Sequence, residues 1–285
     1  MIEVDVKKHK LLFENLELGK DGIWSSYLPV SEQEEEQRFR EKLAAIKVDN
    51  YLDSVSKHHS IPVMDNKILR FIEFMPVDSI ILDVGGCWGW HWRNINNLRP
   101  DIGIIIIDFV RSNLSHAKNV LGSLIGEQIE LVHADATDLP FSDEVVDGVW
   151  TVQTLQHIPS YLKAYNESYR VLKKKGRLIN YSLHINPIIG LIYFLLRKHY
   201  HKKGEVDNSY YLIRANNKQK QELENVFSDK VDDKYCECLF HPDLRLTFTG
   251  KEGSYIGKFD YYLGRFSVIS RLLARQRCFE VVKHG

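Results

Sequence analysis

Residues 80–90, Ile80-Ile81-Leu82-Asp83-Val84-Gly85-Gly86-Cys87-Trp88-Gly89-Trp90, form an apolar run that ends in a carboxylate and a glycine-rich turn. Glycines at a strand-to-helix turn let backbone approach a ligand closely, and the helix that follows offers free N–H groups and a positive dipole end. The chemistry this suggests is binding of something small, although a tight turn with no ligand would use the same residues. Two ligand classes fit poorly. In the dinucleotide fingerprint GxGxxG, Cys87 would take the place of the second glycine and Trp90 that of the third, where close helix packing needs a residue without bulk. A Walker A phosphate loop is excluded because no Gly-Lys-Ser/Thr follows.

Further along, Asp108 ends the next apolar run and Asp135 lies in His133-Ala134-Asp135-Ala136. Asp83 to Asp108 is 25 residues and Asp108 to Asp135 is 27, each enough for one helix and two loops. His157, in Thr154-Leu155-Gln156-His157-Ile158, and His184, in Leu183-His184-Ile185-Asn186, are candidate proton acceptors, since imidazole titrates near neutrality. His157 is the first candidate, with a helix-start histidine that bonds backbone as its alternative, and His184 is the second.

These residues need a scaffold that brings several strand ends together. From Ser79 to Leu183 short apolar runs alternate with amphipathic stretches: Ile80–Leu82, Ile104–Ile107, Ile129–Val132, Val145–Trp150 and Arg177–Tyr181. Continuous apolar runs fit strands buried on both faces, and the β-then-α order predicts a doubly wound α/β sheet. Before this core, residues 1–75 read as a helical extension. Ser31 and Glu34 have capping-box spacing, Phe39, Leu43 and Ile46 recur at helical spacing, and a helix after Pro62 carries Met64, Ile68, Phe71, Ile72 and Met75 on one face. The resulting division is 1–75 extension, 76–185 core, 186–264 lid or acceptor-binding insertion, and 265–285 a C-terminal strand from Cys278 to Val282 that completes the sheet.

In this order the motifs resemble the class I S-adenosylmethionine-dependent methyltransferases. Asp83-Val84-Gly85-Gly86-Cys87-Trp88-Gly89 is similar to the family's D-x-G-x-G-x-G turn, and Asp108 to the acid that accepts from the cofactor's ribose hydroxyls. Asp135-Ala136 with Leu139-Pro140-Phe141 resembles the segment that holds adenine. Asp147-Gly148-Val149-Trp150 resembles the fourth strand, and Arg170 to Leu178 the "RVLKPGG" turn into the fifth. The resemblance implies a Rossmann-like, mostly parallel seven-stranded sheet and S-adenosylmethionine as cofactor, leaving S-adenosylhomocysteine as product. The implied cofactor residues are Asp83, Gly85, Gly86, Cys87, Trp88, Gly89, Asp108, Phe109, Asp135, Ala136, Thr151 and Tyr51; His157 and His184 are the implied catalytic candidates. One departure is Cys87 at the family's central glycine, where a Cβ would be strained if the turn needs positive φ.

The family members that methylate amide or base nitrogens carry an Asn/Asp-Pro-Pro-aromatic tetrad after the fourth strand; here Thr151-Val152-Gln153-Thr154 stands there. This points to a small organic acceptor, with O-methylation of an amphipathic, sugar or lipid-linked metabolite first. Methylation of RNA or protein is the alternative, and a non-catalytic cofactor-binding or scaffold protein is the second. Trp24, Tyr27, Tyr193, Tyr210 and Tyr211 are aromatic candidates for the acceptor pocket.

Composition narrows the partners. Thirty-eight Lys and Arg balance 38 Asp and Glu, which excludes a polyanion-coating role and gives no reason to expect nucleic acid. The four cysteines lack metal-site spacing, so no metal is expected and a cytoplasmic location is. The ten-residue apolar stretch Pro187–Leu196 is about half a bilayer crossing. With the basic run Arg197 to Lys203 behind it, the stretch suggests peripheral contact with an anionic membrane surface. Residues 127–147 hold seven acids and no base, and 171–203 eight bases and no acid. That contrast suggests an acidic stretch beside a cationic cofactor and a basic lid.

Overall fold

The computed structural model describes residues 16–26, 34, 37, 38, 41, 42, 60–206, 210–241 and 255–284. The isoleucine-rich runs form the central strands, where β-branched side chains pack well on a pleated surface. In chain order the elements are a hairpin of β1 (Glu17–Leu18) and β2 (Trp24–Ser25), α1 (Ser60–Glu73), β3 (Ile80–Val84), α2 (Ile95–Leu98), β4 (Gly103–Asp108) and α3 (Arg111–Leu121). Next come β5 (Ile129–His133), β6 (Val146–Val152), α4 (Tyr161–Val171), β7 (Leu172–Leu183) and α5 (Pro187–Leu195). A second hairpin, β8 (Lys203–Val206) and β9 (Tyr210–Ile213), leads to α6 (Asn217–Phe227), β10 (Asp232–Cys236), α7 (Tyr255–Leu263), α8 (Ser267–Leu273) and β11 (Gln276–Val282).

The main sheet runs β1-β2-β5-β4-β3-β6-β7-β11-β10. Strands β5, β4, β3, β6 and β7 are parallel, and β11 is antiparallel to both of its neighbours. Order reverses between β3 and β6, the switch point outside whose strand ends ligands bind in open α/β sheets. One face packs Leu82, Ile105 and Val149 under α4 and α6; the other packs Ile81, Ile106 and Trp150 under α1 and α3.

Six of the nine strands of this sheet are those the sequence predicts in kind. Residues 1–75 are not all helical, however: the β1–β2 hairpin extends the sheet beyond β5. It is fastened by Arg111, which donates to Asp21 at 2.7 Å and to Ser25 Oγ at 2.6 Å, and by Trp24, whose indole N–H reaches Glu130 at 2.9 Å. Trp24 therefore belongs to the sheet edge. The 186–264 segment also differs, since β10 is a strand of the main sheet paired to β11. Residues 265–285 contain α8 as well as the expected strand, which starts at Gln276. The capping pair Ser31/Glu34 and the Phe39, Leu43, Ile46 series lie largely outside the described residues.

Candidate functional site

The carboxyl ends of β3 and β4 are joined by the glycine turn. Gly85 and Gly86 both donate their N–H to the Ile107 carbonyl, at 2.8 and 3.2 Å, so the ladder continues past the strand into the loop. Cys87 N–H then donates to Asp108 Oδ2 at 3.1 Å, and Val110 N–H to Asp108 Oδ1 at 2.8 Å. One carboxylate thus ties the turn to the start of α3. Bonds of this kind to a charged acceptor are worth about 1.5–3 kcal/mol each.

Two glycines are required by the turn itself. Gly85 has φ of +69°, and a Cβ there would lie 2.2 Å from Thr154. At Gly86 a Cβ would lie 2.3 Å from the Asp83 carboxylate. Cys87 adopts φ of +52°, the strained conformation foreseen for a side chain at this place. The backbone follows the glycine path even though the residue is not glycine.

Asp83 is 1% exposed and accepts the Trp92 indole N–H at 2.7 Å. Burial pushes its carboxyl up to about 7; the Trp92 hydrogen bond opposes the shift and the Asp108 charge adds to it. Asp108 is itself buried. Two carboxyl groups that feel each other in a desolvated turn form a locale suited to a cation.

Around them stand the other residues named from sequence. Trp88 is buried, with its indole N–H on Asn113 Oδ1 at 3.1 Å, and Asn113 in turn reaches Asp108 at 3.4 Å. The Phe109 carbonyl accepts from His133 Nε2 at 3.1 Å. Asp135 closes its own loop, accepting from Thr137 N–H at 2.8 Å and Thr137 hydroxyl at 2.9 Å, with Ala136 between them. Thr151 is buried in β6, and its Oγ1 has no hydrogen-bond partner. Tyr51 lies outside the described residues.

The two histidines differ. His157 sits in a 3-10 turn after β6, half-buried. Gln156 Oε1 accepts the Leu183 N–H at 2.7 Å, which fixes the amide so that its NH2 faces His157 Nε2 at 3.0 Å; Nδ1–H donates to the Tyr211 carbonyl at 2.8 Å. The imidazole is thereby held in the tautomer whose Nε2 carries the lone pair. His184 is buried, Nε2–H donates to the Arg271 carbonyl at 3.1 Å, and Nδ1 has no partner. Burial depresses its pKa to about 4, so it is neutral and a weak base at pH 7.

Sequence reading missed Asn113 and Gln156. Asn113 bonds both Trp88 and Asp108, and Gln156 bonds His157, but a single polar side chain on a helix or turn has no periodic signature. It also misplaced the charge contrast. Asp143 pairs with Arg170 at 2.9 Å, Asp147 with Lys173 at 2.9 Å and Glu144 with Lys283 at 3.3 Å. Three of the seven acids are thus paired at the amino ends of β6 and β7, away from the glycine turn.

A glycine turn after β3, an acid closing β4, and a sheet whose last strand runs antiparallel between its neighbours define the class I methyltransferase fold, the kind that uses S-adenosylmethionine. Residues 82–180 match the family model described as a methyltransferase domain. Among its relatives is a demethylmenaquinone methyltransferase of Bacillus cytotoxicus, 27% identical over 172 residues, covering 59% of this chain and 72% of the relative. A protein of the same name from Staphylococcus epidermidis is 41% identical over 73 residues, 26% of this chain and 30% of that one. Against a Bacillus cereus relative of that name the chain spans 63% of its length at 25% identity. Among solved structures, a Thermotoga maritima S-adenosylmethionine-dependent methyltransferase superposes with a TM-score of 0.54 at 16% identity, over 88% of this chain and 99% of that one. The Haemonchus contortus phosphoethanolamine N-methyltransferase 2 in complex with S-adenosyl-L-methionine gives 0.52 at 14% identity, over 78% and 52%.

Proposed function

We propose that the chain methylates a hydroxyl oxygen of a small amphipathic acceptor, with the cofactor held against the glycine turn. The observation that carries the cofactor's place is the joint closure of the turn and Asp108, because one carboxylate at a strand end organises the backbone that faces it. Asp108 is the proposed partner of the ribose diol, since a carboxylate offers two acceptor oxygens. Asp83, Gly85, Gly86, Cys87, Trp88 and Gly89 would flank the methionine moiety and the turn. Phe109, Asp135 and Ala136 would meet the adenine, and Thr151, with its unpartnered hydroxyl, the methyl-bearing end. The cofactor supplies an activated methyl group; the protein's task is to align a nucleophile with it and to exclude water.

His157 is the proposed base. Its Nδ1–H is fixed on the Tyr211 carbonyl, so Nε2 is the atom that would take a hydroxyl proton, with Gln156 giving up its bond there to the acceptor. His184 stays with the fold, as a neutral tie between β7 and α8. The amphipathic acceptor is supported by the names of the relatives, which specify a demethylated menaquinone; a quinone-type lipid is the second reading.

The experiment is a methyl-transfer screen over hydroxylated amphiphiles and demethylmenaquinone, with wild type and His157→Ala. The expected result is turnover of a hydroxyl acceptor whose rate falls on the acid side in wild type as the base takes up a proton, an acid limb that His157→Ala loses together with most of its turnover. Turnover confined to demethylmenaquinone selects the second reading. An unchanged profile removes His157 from the proton transfer.

A further inference from the structure

The edge of the sheet that carries the glycine turn also carries a surface of a different character. α5 leaves the carboxyl end of β7, while α7 and α8 lie between the carboxyl end of β10 and the start of β11, which runs the other way; all three therefore sit at that edge. α5 and α8 pack on each other. A helix covering a core normally turns a polar stripe outward. Here the outward side is apolar: Leu191 is 57% exposed, Phe194 76%, Leu195 69% and Leu196 56%, and on α8 Val268 is 72%.

The segments that form this surface carry charge of one sign, with Glu205 the first exposed acid beyond the basic run. Residues 187–203 contain no acid, and the sole acid of 255–275, Asp260, is fully buried and accepts the N–H groups of Cys238 and Leu239 at 2.6 and 3.2 Å. Arg197, Lys198, Lys202, Lys203, Arg265 and Arg271 are all exposed. Protein partner surfaces are depleted in lysine, and a second copy of this chain in a two-fold contact would bring these like charges together. Exposed leucine and phenylalanine flanked by Lys and Arg, without acids, match the interface of an anionic bilayer, where the apolar side chains enter the headgroup boundary and the bases meet phosphate.

We infer that α5, the basic residues that follow it and α8 dock this protein onto an anionic lipid membrane, with the carboxyl edge of the sheet facing the bilayer. Docking is reversible, because the ten-residue stretch is too short to span and no helix among the described residues is long and apolar enough to cross a membrane. The inference rests on the surface and is independent of the acceptor's identity.

The test is vesicle flotation of the full chain with phosphatidylcholine vesicles, alone or mixed with phosphatidylglycerol. Wild type should float with the anionic vesicles, less so as salt rises, and stay behind with phosphatidylcholine alone. Phe194→Ser/Leu195→Ser and Arg197→Glu/Lys198→Glu should each cut the floated fraction at least ~10-fold. Both variants should keep the wild-type thermal midpoint and affinity for S-adenosylhomocysteine, since no altered residue belongs to the proposed cofactor site. No flotation of wild type, or equal flotation of the variants, would overturn the inference. So would a lipid-free wild-type dimer that the variants abolish, which assigns the face to a second copy.

Discussion

Residues 83–92 and residues 187–196 leave the same edge of one sheet and are built in opposite ways. In the first, Asp83, Trp88 and Trp92 are buried, the indole N–H groups of both tryptophans are bonded within the protein, and a Cβ added at Gly86 would strike the Asp83 carboxylate at 2.3 Å. In the second, Asn186 caps the helix by accepting the Ile189 N–H at 3.0 Å, yet most of its large apolar side chains face outward. One region has a shape fixed by its own atoms, which suits the cofactor site proposed there. The other has an apolar surface waiting on something outside the chain. The difference separates what the fold completes alone from what it leaves to a ligand or a surface.

A glycine stands in each region, and the two should respond to an added methyl group in opposite directions. Gly85→Ala puts a Cβ 2.2 Å from Thr154 at a φ of +69° and should cost ~3 kcal/mol or more. Gly190→Ala, in α5, puts one 3.5 Å from the Tyr200 ring, an ordinary contact, and should stabilise by about 0.5–1 kcal/mol through helix propensity. Chemical denaturation of the two variants reads both; effects of equal sign would erase the distinction.

Asp83 provides the next test. Folded, it keeps its proton up to about 7, against an ordinary 3.8. Between those values the native state binds more protons than the unfolded one, so stability falls as pH rises through the window. Asp83→Asn, which can still accept from Trp92, should remove that fall in stability, on the order of 4 kcal/mol across the window. A wild type whose stability rises over the same range would show that Asp83 is charged when folded. The smallest effect is at Cys87. Its φ of +52° is one that glycine adopts without strain, so Cys87→Gly should raise stability by no more than about 1 kcal/mol. A loss would mean that the thiol side chain packs usefully there.

The same contrast explains what could be read from the sequence. The glycine turn and the acid at the end of β4 were legible because close backbone approach restricts residue type over a few consecutive positions. α5 was legible as an apolar stretch with a basic tail. The β1–β2 hairpin was not, since two-residue strands are too short for alternation to register. β10 was hidden too: as an edge strand, Asp232-Asp233-Lys234-Tyr235-Cys236 has only Cys236 buried. Its place comes from pairing with β11 and from Arg277, which holds Asp233 at 2.6 Å. The charge contrast between 127–147 and 171–203 misled because ion partners distant in sequence, such as Glu144 and Lys283, meet only in the fold.

The central claim is that the turn at residues 83–89, closed by Asp108, is where the cofactor sits. Calorimetric titration with S-adenosylhomocysteine tests it on wild type, Asp108→Asn and Asp108→Ala, with circular dichroism to show that each variant is folded. Wild type should show one binding site, weakened by at least ~10-fold in both variants through loss of a charged hydrogen-bond acceptor. No binding by folded wild type, or equal affinity in a folded Asp108→Ala, would contradict it.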